Sequence, residues 1–549
     1  MTVKKLPWLL AAAILLGSVR QSPAQNDDAT SNPTRITLDT GQITGAFAGE
    51  AKRIRVYKGI PYAAPPVGER RWKPPAPPTP WPGVRACTKP GPACHQPRPI
   101  IGVNPLRQSE DCLYLNVFTP ARSGNDRLPV MFWIHGGGLT TGSGSQAYYE
   151  GVGLAGRGVV VVTVNYRLGP FGFFAHPALS AESPDGISGN YGLLDQIAAL
   201  KWVRRNIAAF GGDPERVTLF GESAGSVSVC LLLVSPLARG LFHRAIAQSG
   251  IPGGRIKHLK TKWRGRESLE SVGLKIATDL GADAAQDPLA HLRGVDAETL
   301  LEVTRPAQGL FGRGLKFGAV IDGRVVPDEP YRLFASGKFH RVPIMTGSNA
   351  DEGTMFLEQL RIRGKLGYRL LAKTFAREHA GDLLKQFPAR TNRDVPAALN
   401  RMVTVMCFVA PARTLARQIA ENGGRVWLYH FTRDATTKRF RSYGAFHGAE
   451  IAYIFRHTRS PVTPAMKWVL AYDEVDHRLS DTMSACWARF AATGDPNGDD
   501  LPEWSPYDPA GDRLLVFGDE VTATSGLHRE GCDIIDRIRD SWTRKFEQE

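Results

Sequence analysis

The sequence predicts an α/β fold in which a large, mostly parallel central β-sheet is flanked by helices. Three observations carry this expectation. Short apolar runs such as "VVVVTVNY" are near-continuous in Val, Ile and Thr, the pattern of strands buried on both faces. These runs alternate with helical spacing, as in "GLLDQIAALKWVRRNIAAF" (192–210), and alternation of that kind builds a parallel sheet. Finally, "LFGESAGS" sets one serine between glycines, directly after an apolar run and before a helix-compatible one. A strand-to-helix turn that tight strains its central residue and lifts the side chain clear of the sheet.

The elements follow in chain order. Lys4 and Lys5 precede an apolar stretch from Leu6 to Leu16, and Ser22 and Ala24 stand at the spacing a signal peptidase accepts. The stretch is too short to span a bilayer, so residues 1–24 are read as a cleaved secretory signal and 25–549 as the mature protein, secreted or periplasmic. No other segment is read as long and apolar enough to cross a membrane. Residues 59–83, "GIPYAAPPVGERRWKPPAPPTPWPG", are too proline-rich for regular structure, yet Tyr62, Trp72 and Trp81 need a surface to pack on. From residue 113 onward, "LYLNVF", "LPVMFWIHG" and "VVVVTVNY" are strands, followed by the helix within 192–210. "RVTLF" (216–220), "RAIAQSG", "VPIMTG" and "GRVWLYHF" are further strands, the first feeding Ser223. There is no internal repeat or low-complexity block.

Composition sets the outer bounds. With 549 residues, 42% hydrophobic and 22% charged, the chain is an ordinary globular protein with ample core, and length alone would suggest three or four domains. The formal charge is +15, and removal of Lys4, Lys5 and Arg20 with the leader lowers it to +12. Such a surface attracts phosphate, acidic lipid or carboxylate-bearing molecules. No zinc-finger, RRM or helix-turn-helix pattern accompanies it, so no nucleic-acid partner is expected. Seven cysteines suit an oxidising compartment; none has zinc-ligand spacing, and neither a metal nor a cofactor is expected.

Ser223 needs a base, and the base needs an orienting carboxylate. "RVPIMTG" runs into "SNADEGTMF", which puts Asp351 and Glu352 at a strand's carboxyl end, where parallel sheets host ligands. "GRVWLYHF" is followed by "RSYGAFHGAEIAYIF", which puts His447 on a glycine-flanked loop. Of the other late histidines, His430 lies within a strand, and His379 and His477 in polar, helix-like stretches. The developing oxyanion needs donors. In "WIHGGGLTTGS", three glycines after a strong strand can turn backbone N–H groups toward one oxygen, and the Ala224 N–H can complete the set.

With these motifs in this order, the chain resembles the type-B carboxylesterase/cholinesterase family of α/β-hydrolases over nearly everything beyond the leader. The matching stretches include "SEDCLYLNVFTP", "VMFWIHGGG", "GNYGLLDQIAALKWVRRNIAAFGGDPERVTLFGESAGS", "GSNADEGTMF" and "FHGAEIAYIF". The resemblance implies an α/β-hydrolase fold with pocket-forming insertions in one large catalytic domain, against the length expectation. It implies Ser223 as nucleophile, Glu352 as acid and His447 as base, with Gly137, Gly138 and Ala224 as the oxyanion hole. It also implies Ser249 as a supporting serine near the acid, and disulfides Cys94–Cys112 and Cys407–Cys532.

Two features bear on substrate. The loop between the early cysteines, "HQPRPIIGVNPLRQSED", has no Phe, Tyr or Trp to hold a choline cation, so a cholinesterase is not expected. Residues 253–266, "GGRIKHLKTKWRGR", carry Arg255, Lys257, Lys260, Lys262, Arg264 and Arg266 without an acid before Glu267. These cations either recognise esters bearing free carboxylates, such as polycarboxylate-esterified, fumonisin-like toxins, or simply form a solvated loop. The expectation is a serine carboxylesterase acting on a small-molecule ester. The alternatives are a generalist esterase or amidase of neutral esters and, from another class, a non-catalytic binding protein.

Overall fold

The computed structural model describes residues 33–49, 52–98, 107–252, 256–459 and 464–547; the expected leader and Arg255 lie outside them. Eleven strands form the central sheet. They are β1 (Ala46–Ala48), β2 (Ile54–Pro61), β3 (Tyr114–Thr119), β4 (Leu128–Ile134), β5 (Val160–Val164) and β6 (Gly212–Glu222). The remainder are β7 (Arg244–Gln248), β8 (Ile344–Asn349), β9 (Val426–Phe431), β10 (Arg513–Phe517) and β11 (Val521–Ser525). Across the sheet the order is β11-β10-β9-β8-β7-β6-β4-β5-β3-β2-β1. Every pairing from β10 through to β5 is parallel, while β11 at one edge and β3, β2 and β1 at the other run antiparallel. The predicted mostly parallel sheet is present, with antiparallel edges that need no crossover helices.

Alternation along the strands explains why the sheet is covered on both faces. On β4, Val130, Phe132 and Ile134 enter one hydrophobic cluster, whereas Met131 and Trp133 enter another. The first cluster takes in α1 (Tyr191–Asn206) through Leu193, Ile197 and Leu200, and α2 (Ala224–Val234) through Val229 and Leu232. Further along the chain come α3 (Lys365–Ala376), α4 (Val395–Thr404), α5 (Ala410–Glu421), α6 (Glu474–Thr493) and α7 (Arg529–Glu547). Of these, α6 closes the second face with Leu479, Met483, Trp487 and Phe490. Each such side chain withdrawn from water contributes about 1.5–3 kcal/mol.

The proline-rich stretch has one short 3-10 turn, Gly68–Arg70, beyond the end of β2. It is pinned by its buried aromatics: the Tyr62 hydroxyl donates to the Asn165 carbonyl and the Trp72 indole to the Pro170 carbonyl.

Two expectations are corrected. Residues 392–421 form one helical stretch, α4 and α5 joined by a π-helical segment Val405–Val409, that is long and apolar enough to span a membrane. Two thirds of its apolar window is buried within the protein, and it packs on β8, β9 and α7, so it reads as a core helix. Cys94 and Cys112 are joined, with Cα atoms 5.0 Å apart, but Cys407 and Cys532 are not. Cys407 lies against the Phe356–Phe408 cluster and Cys532 in a separate one with Ile535 and Leu399, so the helix pair is held by packing there.

Candidate active site

After β4 the chain steps back to lay β5 between β4 and β3, then crosses to place β6 on the other side of β4. Loops after β4 and β6 therefore diverge, leaving a crevice at the carboxyl ends of adjacent strands. The glycine run follows β4 and Ser223 follows β6.

Ser223 is the single residue between β6 and α2 and holds φ 56° and ψ −121°. A non-glycine residue there costs of order 1–3 kcal/mol, sustained by the packing around it. The flanking glycines are required by proximity: a Cβ on Gly225 would sit 2.0 Å from the Ile134 carbonyl oxygen, and one on Gly221 2.7 Å from it. The Ser223 N–H donates to the Gln248 carbonyl, which ties the turn to β7.

His447 arrives on the loop after β9, its ring against Phe356 and Phe408 at centroid distances of 5.2 and 5.0 Å. Its Nε2 lies 2.8 Å from Ser223 Oγ, and its Nδ1 2.5 Å from Glu352 Oε2. Glu352 is fully buried at the start of a 3-10 turn, Glu352–Phe356, after β8, and its other oxygen accepts the Asn349 N–H at 2.8 Å. The pair of acids left open by the sequence separates here. Asp351 accepts from the Asn400 amide and the Ala445 N–H instead of the histidine.

Gly137 (φ 108°) and Gly138 (φ 66°) hold backbone that favours glycine, and the Gly137 carbonyl is occupied by the Thr140 and Thr141 N–H groups. The N–H groups of Gly137, Gly138 and Ala224 donate to nothing among the described residues. Ser249 (φ 51°) is buried at the end of β7, its N–H donating to the Gly347 carbonyl. Its hydroxyl has no hydrogen-bond partner among the described residues, Glu352 included.

Two buried acids were missed by sequence reasoning. Glu222 precedes the serine and brings Oε1 to 3.2 Å from His447 Nε2. Glu450, three residues after the histidine, is fully buried and accepts from the Gln248 and Asn349 amides. The signal was the acid at the variable position of "GESAG" and the one closing "FHGAE", each adjacent to a residue already singled out. Burial lifts Glu222 to about 8, with repulsion from Glu450 and Glu352 working against attraction to His447. Burial alone would push the His447 imidazole down; Glu222 and Glu352 overcome it and raise it above the ordinary histidine range. His430, by contrast, is buried without a carboxylate and pushed down to about 3, a neutral core histidine.

The basic segment is placed only in part. Lys257 and His258 pair with Val320 and Ile321, the Arg264 guanidinium stacks 4.1 Å over Trp263, and Lys257 is opposed by Glu267. Glu329, in turn, feels the Arg264 charge. Local acids and an indole thus engage several of its charges.

Known proteins share this arrangement of sheet and loops. The profile of the carboxylesterase family matches residues 32–535. Fumonisin B1 esterase of Sphingopyxis macrogoltabida is 39% identical over 537 residues, covering 95% of this chain and 94% of its own. Para-nitrobenzyl esterase of Bacillus subtilis (strain 168) is 36% identical over 501 residues, with 89% and 95% covered. The solved structure of carboxylesterase EST55 of Geobacillus stearothermophilus superposes with a TM-score of 0.77 at 33% identity, over 91% of this chain and 99% of that one. A match sustained from the first small strands to the last helix is more than a shared serine motif, and it places the chain in the type-B carboxylesterase family, as a carboxylic ester hydrolase of the α/β-hydrolase fold.

Proposed function

We propose that the protein hydrolyses carboxylic esters through an acyl-enzyme on Ser223, in one catalytic domain spanning residues 25–549. The observation that carries this reading is the Ser223–His447–Glu352 chain of 2.8 and 2.5 Å contacts beside three undirected N–H groups. Ser223 Oγ attacks the ester carbonyl carbon as His447 Nε2 takes its proton, and Glu352 holds the imidazole in the required tautomer. The carbonyl oxygen gains the negative charge and receives the N–H groups of Gly137, Gly138 and Ala224. One such donor stabilises the transition state by about 3 kcal/mol. The C–O bond to the alcohol breaks, and His447 returns the proton to the leaving oxygen. Water then gives a proton to His447 and its oxygen to the acyl carbon; the acid leaves and Ser223 regains its proton.

The substrate we assign is an ester carrying free carboxylates, of the polycarboxylate-esterified kind, and the leader assigns the protein to the periplasm or medium. The name and 39% identity of the fumonisin esterase support the first assignment. So does the position of Arg98 and Arg313. The Gln308 amide donates to the Arg98 carbonyl, and Leu310 and Phe311 join the cluster around Phe356 and Phe408 that touches His447. Arg98 and Arg313 are exposed and form no ion pair among the described residues. A second reading, a generalist esterase of neutral or aromatic esters, draws on the apolar character of that same cluster.

The test is nitrophenol release from two matched esters, one neutral and one ending in a carboxylate, at low and high salt. Ser223→Ala should lose activity by 10⁴-fold or more, on the order seen when such a nucleophile is removed, and fail to label with a fluorophosphonate. Retained activity or labelling refutes the acyl-enzyme at Ser223. Preference for the anionic ester, erased by salt and reduced in Arg313→Gln, supports carboxylate recognition. Equal or better use of the neutral ester at both salts leaves the generalist reading.

A further inference from the structure

α3 has two apolar sides. Tyr368, Ala372 and Ala376 form its buried stripe, yet Leu366 and Leu370, one turn apart on the opposite side, are 84% and 64% exposed. A leucine pair in water is costly, and the residues around it are not neutral. Positions 359–377 hold Arg361, Arg363, Lys365, Arg369, Lys373 and Arg377 and no Asp or Glu. Arg361, Arg363, Lys365, Arg369 and Lys373 make no ion pair among the described residues; Arg377 covers the Trp542 ring at 4.0 Å.

A second segment has the same character. Trp468, 68% exposed, has its carbonyl held by Thr437 Oγ1, beside the exposed Lys438, Arg439 and Arg441 and with Lys467 next in chain; the two paired segments end at Asp434 and Asp473. Leu366, Leu370 and Trp468 are the three most exposed large apolar side chains among the described residues. Both segments connect to the Glu352–Phe356 turn of the active site. The Thr354 hydroxyl donates to the Tyr443 carbonyl on one side, and the chain runs from Phe356 through Leu360 into α3 on the other.

Exposed leucines and an indole among cations that outnumber the flanking acids, Glu358 and Glu378 beside α3, match one kind of partner, a surface that is apolar below and anionic above. We propose that α3, with the Trp468 segment, docks the folded enzyme peripherally on anionic lipid. Leu366, Leu370 and Trp468 enter the headgroup boundary while the lysines and arginines meet lipid phosphates. This docking is independent of the hydrolytic assignment, because it needs neither Ser223 nor His447.

The experiment is vesicle flotation with the full chain, using phosphatidylcholine alone and phosphatidylcholine containing phosphatidylglycerol, at low and high salt. The expected result is at least tenfold more protein on the anionic vesicles, falling with salt. Leu366→Ser/Leu370→Ser should cut vesicle binding at least tenfold while turnover of a soluble nitrophenyl ester stays unchanged. Arg369→Glu/Lys373→Glu supplies a second route to the same loss should the leucine variant fold poorly. Absence of binding by the wild type, or equal binding by both folded variants, overturns the proposal. So does a lipid-free dimer in sedimentation that the leucine variant abolishes, which would make a second copy the partner. A leucine variant that keeps vesicle binding but raises KM for the carboxylate-bearing ester also overturns it, by making this face a substrate subsite.

Discussion

Glu222, Glu352 and Glu450, all buried, lie around the His447 imidazole, so the protons distributed among them set when that ring can serve as the base we propose. A base must be neutral to accept the Ser223 proton. His447 is raised by its carboxylates, so kcat/KM should climb with pH through a limb above the ordinary histidine range. Burial keeps Glu222 protonated up to about pH 8, and each proton it holds removes a charge that would otherwise favour imidazolium. Glu222→Gln fixes that neutral state permanently. Its acid limb should therefore move to lower pH while kcat on the plateau changes little, a result read from the pH profile of kcat/KM. An unmoved limb would mean that Glu222 does not act on His447.

At the scale of the element, the turn between β6 and α2 depends on an absence of side chains. Ile134 at the end of β4 presses its carbonyl against Gly225, which leaves no room for a methyl group. Backbone on both sides of the contact cannot rotate away as a side chain would. Gly225→Ala should therefore push α2 off the sheet, costing roughly 1–3 kcal/mol as overpacking does and moving Ser223 out of reach of His447. Urea unfolding should show the lost stability, and activity should fall further than stability alone explains. The same close approach between β4 and β6 puts the glycine run and Ser223 side by side. Neighbouring strands lead into Gly137, Gly138 and Ser223, while β8 and β9 extend the row to Glu352 and His447.

For the whole molecule, the sheet order places four loops distant in sequence along one edge. Ser223 and His447 are 224 residues apart, and no local propensity can bring them together. The family match begins at residue 32, and the leader we propose, residues 1–24, lies ahead of it. Export should remove them, so N-terminal sequencing of the protein recovered from its native host is expected to begin at Gln25. A start at Met1 in the native protein would count against the leader.

Much of this arrangement was readable in advance because it is local. The strands carry their own signal in β-branched runs, and "GESAGS" and "HGGG" need particular backbones that only their glycines allow. The parallel sheet places such loops at the carboxyl ends of its strands, and the order acid then histidine is the pattern of the fold the motifs resemble. Pairing of cysteines was less legible. Cys94 and Cys112 lie in one short loop, whereas Cys407 and Cys532 sit on helices whose packing sends them into different clusters. Apolar composition likewise could not say whether 392–421 faces lipid or protein, since both demand the same residues. By itself, the sequence determined the α/β sheet, the elbow serine and the two loops that could serve it, and its family resemblance singled out Glu352 over Asp351. Tertiary structure alone decided that Glu222 and Glu450 join Glu352 around His447, and that Leu366 and Leu370 face outward. Each of those depends on distances between segments far apart in the chain, which the packing of the sheet and its helices sets.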